Sequence, residues 1–318
     1  MKINKLFELK NNFNIYKDVK SVIILGKLHN THPEFSILIP TFGRLTYLEE
    51  AIDSAINQTA PKNKYEIIIV DNDPEPNLEI ENMIKLKKCS NLIYYKNSLN
   101  IGMVGNWNRC IELSSGKWIT FLHDDDLFED NYIKKMHFIT NKHPHYSLIA
   151  PTAQILQSNP TDTLIKKRIS NKFVELKISD FIYGNPVPTQ GTMFDRKLAI
   201  QLGGFYEKWW PGMDWVFWIN FIRKYNGILI KDKLLIYRKH SEAESSKIET
   251  KKENIELKIN IQDTLESYRT PLQSIYSYFL KRNAYLLRYK SYSLFYKIVM
   301  YSYYLAASFH LFLRQKNQ

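Results

Sequence analysis

The sequence predicts an α/β protein: a doubly wound, mainly parallel sheet flanked by helices, followed by a C-terminal helical extension. Two observations carry this reading. Between Phe35 and Leu122, short apolar runs alternate with segments whose apolar residues recur at helical spacing, the pattern of strands joined by crossover helices. Each run also stops at a loop of polar or acidic residues, and in parallel sheets ligands gather where the strands end.

The elements follow in order. Phe35 to Pro40 is an apolar run closed by proline, as expected of a strand buried on both faces. After the loop Thr41-Phe42-Gly43-Arg44, the spacing of Leu48, Ile52, Ala55 and Ile56 predicts a helix within 45–58. A second strand, Tyr65 to Val70, stops at Asp71-Asn72-Asp73-Pro74, and a third, Leu92 to Tyr95, ends near Asn97. Asn100-Ile101-Gly102-Met103 then leads into a helix over 104–113, with Gly116 just past its end. The fourth strand, 117–122, runs through His123 into Asp124-Asp125-Asp126. Beyond it the pattern predicts a helix over 132–141, a strand near 146–155, a rigid Pro-containing loop over 185–192, a strand at Met193-Phe194 and a helix over 214–224. The basic loop Lys166-Lys167-Arg168 reads as a solvated turn. The chain thus divides into a polar N-terminal extension (1–34) with no assigned chemistry, a main domain (35–250) with halves 35–126 and 127–250, and a tail (251–318).

Composition narrows the function classes. With 318 residues, 44% of them hydrophobic, the chain can bury the core of one large α/β domain with attachments. Cys89 and Cys110 are the only cysteines and lack metal-like spacing, which argues against a disulfide scaffold or zinc site. Residues 1–20 contain no apolar core of a signal peptide, so the expected location is the cytoplasm. The net charge of +12 suits an anionic partner, and its distribution is uneven: residues 267–318 hold eight Lys and Arg, no Asp or Glu, and ten of the 21 tyrosines.

Three adjacent carboxylates repel one another and need a cation, strong hydrogen bonds or free water. A strand ending in such a cluster is how an α/β protein offers oxygen ligands to Mg²⁺ or Mn²⁺, which often arrives with a phosphate. A solvated acidic loop opening the next helix is the plain alternative. Pro40 to Arg44, Asp71 to Asp73, Asn100 to Asn108 and Asp124 to Asp126 should all meet on one sheet edge. Singly, each has an ordinary structural role: Arg44 as a surface cation, Asp71 and Asp73 in a turn, Asn106 and Asn108 as loop bridges. Together they suit a nucleotide diphosphate, with a carboxylate for the base, loop amides and Arg44 for phosphates, and aspartates for the metal.

At this point the chain resembles family 2 of the inverting, nucleotide-sugar-dependent glycosyltransferases of the GT-A (Rossmann-like) fold. The resemblance rests on Ser36 to Arg44, Glu66 to Asp73, Asn100-Ile101-Gly102 with Asn106-Trp107-Asn108, and Gly116 to Asp126, and extends over about 35–240. It implies a nucleotide-binding half followed by an acceptor half. Pro40, Thr41 and Arg44 would border the nucleotide, with Asp73, Asn100, Gly102 and Asn106 on the same edge, and Asp71 would accept from a uracil-type base. The aspartate cluster would meet ribose and metal, with Asp124 assigned to ribose and Asp125 and Asp126 to Mn²⁺ or Mg²⁺. Many members carry an acid where His123 stands; a ligand role and a strand-end role are both open, and the latter is preferred because a neutral imidazole needs no metal.

In the acceptor half, Trp209, Trp210, Trp215 and Trp218 crowd around Asp214. Such rings can stack on a sugar, while a carboxylate can take a proton from its hydroxyl; Trp209, Trp210 and Trp215 are assigned to sugar or acceptor. Trp215 and Trp218 also fit the buried face of the helix that Asp214 opens. The resemblance implies an acidic pair whose second member is the base; Asp214 falls there and Met213 replaces the first. Tyr237-Arg238-Lys239-His240 is similar to a strand-end segment near the diphosphate, so His240 is assigned to metal or phosphate.

The tail reads as basic, tyrosine-rich helices. Only 16 uncharged residues separate Lys297 from Arg314, short of the ~20 apolar residues needed to span a bilayer. Peripheral contact through 267–318 with the inner face of the cell membrane is expected, with packing on the domain or on a second subunit as the alternative. The expected partners are a nucleotide-diphosphate sugar donor, a UDP-sugar by preference, and a glycan or lipid-linked acceptor in bacterial surface polysaccharide synthesis. A nucleic-acid-binding protein would also explain the charge, but the tail lacks Gly-rich or Arg-rich readout patterns, so no nucleic acid partner is expected. A catalytically inactive scaffold docked on membranes is the other rival.

Overall fold

A computed structural model describes residues 6–28, 33–157, 173–182, 184–239, 257–258 and 260–268. The expected basic loop at 166–168, His240 and nearly all of the 267–318 tail lie outside the described residues. The strands are β1 (Ser21–Leu25), β2 (Phe35–Thr41), β3 (Tyr65–Asp71), β4 (Leu92–Asn97), β5 (Trp118–Phe121), β6 (Leu127–Phe128), β7 (Leu148–Gln157), β8 (Phe173–Glu175), β9 (Met193–Asp195) and β10 (Gly227–Lys239). The helices are α1 (Leu48–Ile56), α2 (Leu78–Leu86), α3 (Gly102–Leu113), α4 (Tyr132–Lys142), α5 (Arg196–Gln201) and α6 (Met213–Lys224).

One mixed sheet runs β1-β4-β3-β2-β5-β9-β7-β10-β6, with β8 also on β10. Its parallel centre, β4-β3-β2-β5, is the predicted α/β core. Period-two alternation along these strands fills both faces. Ile37, Ile39, Ile67 and Ile69 pack with α1, α2 and α4, whereas Leu38, Ile68, Val70 and Phe121 pack with α3 and α6. Strands buried on both sides explain why the sequence shows continuous apolar runs. The strand order reverses at β2, with β3 on one side and β5 on the other, so a crevice opens where β2 and β5 end. Thr41 and the residues after Phe121 stand at that point.

The remaining half is antiparallel at its seams: β9 joins β5 to β7, and β6 caps β10. The polar N-terminal segment joins the structure. β1 pairs antiparallel with β4, Leu6 and Phe13 enter the core, and Asn12 Nδ2 donates to Gly203 O at 3.0 Å. A Cβ on Gly203, whose φ is +85°, would fall 1.9 Å from Lys10 O, so this contact requires glycine. The start of the tail packs too: residues 257–258 and 260–264 are helical, and Leu257, Ile261 and Leu265 are buried beside α6.

Candidate active site

A cleft of about 540 Å³ lies over the switch point. Pro40, Thr41, Arg44, Asn100, Gly102, Asn106, Asp124 and Asp125 line one side, and Thr189, Gln190, Trp210 and Asp214 line the other. Thr41 Oγ1 donates to Asp124 Oδ2 at 2.8 Å and so ties the ends of β2 and β5 together. Arg44 Nη1 lies 3.7 Å from Asp124 and 3.5 Å from Asp125.

The loops behind this wall are held by amide side chains. Asn72 Nδ2 donates to Asn100 Oδ1 at 2.8 Å, and Asn72 Oδ1 accepts from Ile101 N at 3.0 Å. Asn106 Nδ2 donates to Val70 O at 2.9 Å, while its Oδ1 accepts from Asn97 at 3.0 Å. Buried strand-end amides need such partners, which is why asparagines accumulate here. Asn108 is drawn away from the cleft by a reciprocal pair of 2.8 Å bonds with the backbone of Phe205.

Asp71 and Asp73 stand behind the wall. Asp71 is fully buried: its Oδ1 accepts from Gly43 N (3.2 Å) and Asp73 N (3.0 Å), and its Oδ2 from Tyr94 Oη (2.9 Å) and Lys96 Nζ (3.4 Å). It therefore anchors the Phe42-Gly43 loop that forms the cleft surface. Gly43, at φ +59°, passes so close that a Cβ would lie 2.6 Å from Asp73 Oδ2.

The acidic cluster divides into different environments. Burial pushes the Asp124 carboxyl up to about 6, against the Thr41 hydrogen bond and Arg44, which favour ionisation. Asp126 is 1% exposed; burial pushes it up to about 8, although its Oδ1 accepts from Arg238 N at 2.9 Å. Asp126 Oδ2 is buried with no hydrogen-bond partner, and so is His123 Nε2. Burial lowers the affinity of the His123 imidazole for a proton. One ligand atom each from His123, Asp125 and Asp126 lie within 4.8 Å of one another. Orphaned buried acceptors beside a carboxylate, and acids that a divalent cation would ionise, fit a metal site.

Across the cleft, Asp214 sits in the first turn of α6. Its Oδ1 accepts from Trp215 N at 2.7 Å; its Oδ2 accepts from Asn185 Nδ2 at 2.9 Å and Thr189 Oγ1 at 3.0 Å. Burial raises its proton affinity, and those three hydrogen bonds oppose the shift. A held, partly desolvated carboxylate facing a cleft can act as a base.

The tryptophans separate. Trp210 faces the cleft, Trp209 lies off its wall, and Trp215 is 3% exposed with Nε1 donating to Phe181 O at 3.1 Å. Trp215 is thus a core residue, the packing that its place on the helix also suggested. Sequence reasoning did not single out Asn72, Trp107, Thr189 or Tyr237 for the cleft. Asn72 and Trp107 lay inside the quoted motifs, but nothing in the sequence shows that Thr189 reaches Asp214.

Residues 36–203 match the family described as Glycosyl transferase family 2. A poly(ribitol-phosphate) beta-glucosyltransferase of Bacillus spizizenii is 37% identical over 29% of this chain and 15% of its own length. An uncharacterized glycosyltransferase of Methanocaldococcus jannaschii is 25% identical over 65% of this chain and 71% of its own. The chain therefore spans only a small part of the first of these relatives. Among solved structures, Staphylococcus aureus TarS 1-349 in complex with UDP-GlcNAc superposes with a TM-score of 0.59 at 19% identity, covering 73% of this chain and 66% of that one. The mannosyltransferase PcManGT of Pyrobaculum calidifontis, in complex with GDP-Man and Mn²⁺, superposes with a TM-score of 0.53 at 13% identity, covering 88% and 87%. These likenesses show the GT-A fold. With more than half its length matched, including the strand-end loops that carry Thr41, Arg44 and the aspartate cluster, this chain belongs to glycosyl transferase family 2.

Proposed function

We propose that the protein transfers a sugar, with inversion, from a nucleotide diphosphate donor, preferably a UDP-sugar, to a hydroxyl of a glycan or lipid-linked acceptor in bacterial surface polysaccharide synthesis. The observation that carries this reading is that Asp214 lines the same cleft as the strand-end aspartates Asp124 and Asp125. That is the arrangement a one-step displacement needs, with a base on one side of the anomeric carbon and the leaving group on the other.

Asp214 takes the proton of the acceptor hydroxyl, whose oxygen then attacks the anomeric carbon. Its Oδ2 accepts two hydrogen bonds, from Asn185 and Thr189, and its Oδ1 one, from Trp215 N, so Oδ1 is the oxygen with a lone pair left to receive the proton. Thr41, Arg44 and Asp124 border the nucleotide, with Asp124 at the ribose. Asp71 contributes to the base contact through the Phe42-Gly43 loop it anchors. Trp210 offers a ring to the sugar face. Asp125 and Asp126 would hold Mg²⁺ or Mn²⁺, which supplies positive charge to the leaving diphosphate.

A UDP complex of TarS and the GDP-Man complex of PcManGT support a nucleotide-sugar donor. Relatives named for poly(ribitol-phosphate) glycosylation, including TarP of Staphylococcus aureus, support a surface polymer as acceptor. Peripheral docking at the inner face of the cell membrane through 267–318 belongs to the same proposal; no helix among the described residues is long and apolar enough to cross a membrane. A panel of UDP- and dTDP-sugars, with Mg²⁺ or Mn²⁺ and glycan or lipid-linked acceptors, tests the activity by diphosphate release. Turnover of at least one donor is expected; no transfer or hydrolysis of any donor would contradict it.

A further inference from the structure

We infer that His123 is a nitrogen ligand of the cation at the acidic cluster, so that the site prefers Mn²⁺ and other transition metals over Mg²⁺. This rests on the reading above that the cluster holds a divalent cation. The position follows directly from the end of β5, where the chain leaves Phe121 and Leu122 in the core and presents residue 123 to the cleft.

Three observations converge on the imidazole. A ring nitrogen of His123 and carboxylate oxygens of Asp125 and Asp126 lie within 4.8 Å of one another. Three donors each ~2.1 Å from a shared ion lie ~3–3.6 Å apart, so inward shifts of at most ~0.7 Å in each side chain close the set. His123 Nε2 and Asp126 Oδ2 are both buried without a hydrogen-bond partner, an arrangement that is costly unless something binds there. Finally, the ring is held: Trp107, itself 5% exposed on α3, stacks on it with centroids 5.3 Å apart and planes 30° apart.

The third aspartate is differently engaged: Asp124 accepts from the Thr41 hydroxyl, while Arg44 lies near both Asp124 and Asp125. Among the described residues, the ligand set is thus one nitrogen and two carboxylates. Mg²⁺ favours oxygen donors throughout, whereas imidazole raises the relative affinity of Mn²⁺, Co²⁺ and Zn²⁺. His123 thereby acts as the determinant of metal choice.

The test is electron spin-echo spectroscopy of Mn²⁺ bound to the full-length protein with UDP. Coupling to an imidazole ¹⁴N is expected in the parent and in His240→Gln, and is lost when His123→Gln is added to His240→Gln, which removes the other candidate imidazole. If His123→Gln does not fold, His123→Asp places an oxygen donor at the same position and should likewise abolish the coupling. In the folded variant the preference for Mn²⁺ over Mg²⁺, measured by titration in the presence of UDP, should narrow by about tenfold, the scale on which altering even a group that supports a ligand changes a metal site. Mn²⁺ bound with no nitrogen coupling, or coupling that survives loss of both histidines, overturns the inference and leaves the aspartate site standing. No binding of Mn²⁺ with UDP overturns both.

Discussion

Along the donor-side wall, polar groups stand where parallel strands end. Thr41 ends β2, Asp71 ends β3 and Asp124 follows β5, and the amides of Asn72, Asn97 and Asn106 stitch those ends together. Across the cleft, Asp214 opens a helix, and its orientation depends on Asn185 and Thr189 from a loop 29 and 25 residues earlier. One wall is fixed by sheet topology, the other by a few side-chain hydrogen bonds. The first should respond to mutation through stability and donor affinity, the second through turnover.

The largest effect expected on the donor side is that of Asp125→Ala. Loss of charge at the leaving diphosphate is worth several kcal/mol, so transfer should fall by about a thousandfold, with weakened binding of UDP in the presence of metal. Calorimetric UDP binding unchanged from the parent would break the assignment of that wall. Thr189→Val and Asn185→Leu come next. Hydrogen bonds to a charged group are worth about 1.5–3 kcal/mol, so each should lower kcat about 10- to 100-fold while KM for the donor stays near the parent value. A rise in donor KM with unchanged kcat would place these residues on the wrong side of the comparison.

The same contrast appears in pH dependence. A base works only when ionised, and burial raises Asp214 above its ordinary 3.8. Activity should therefore fall with acidification at a pH above that value. Thr189→Val should move the acidic limb further upward, because the Thr189 hydroxyl favours the ionised form. A limb unmoved by Thr189→Val would show that another group sets it. The smallest effect on activity is expected for Asn106→Ala, which leaves Val70 O and the Asn97 amide short of a partner in the core of the donor wall. It should cost about 1–3 kcal/mol and lower Tm by several degrees, read by thermal denaturation.

The two walls also differed in how far the sequence disclosed them. Tyr65–Asp71 or Trp118–Phe121 can be recognised because a strand buried on both faces must be apolar throughout, and its end must be polar. The helices α1, α3, α4 and α6 followed from spacing for the same reason. What stayed hidden was set by distant pairing. β1 reads as a weak run in a polar segment because it is an edge strand, with Val22 and Ile23 exposed. β6 has only Leu127 and Phe128, too short for any period. Asp71 looked like a residue facing the base, and only packing shows it buried beneath the loop that follows β2. Likewise, Trp215 shared a composition signal with Trp210, but α6 turns one into the core and leaves the other at the cleft. His123 lay in plain view, and its unpartnered nitrogen did not.

The most direct measurement compares donor binding with turnover in Asp214→Asn. This substitution keeps the size of the side chain and removes the base. UDP affinity should stay within a few fold of the parent value, while transfer falls by about 10² to 10⁴, the contribution typical of general-base catalysis. Near-normal turnover in Asp214→Asn would contradict the account at its centre.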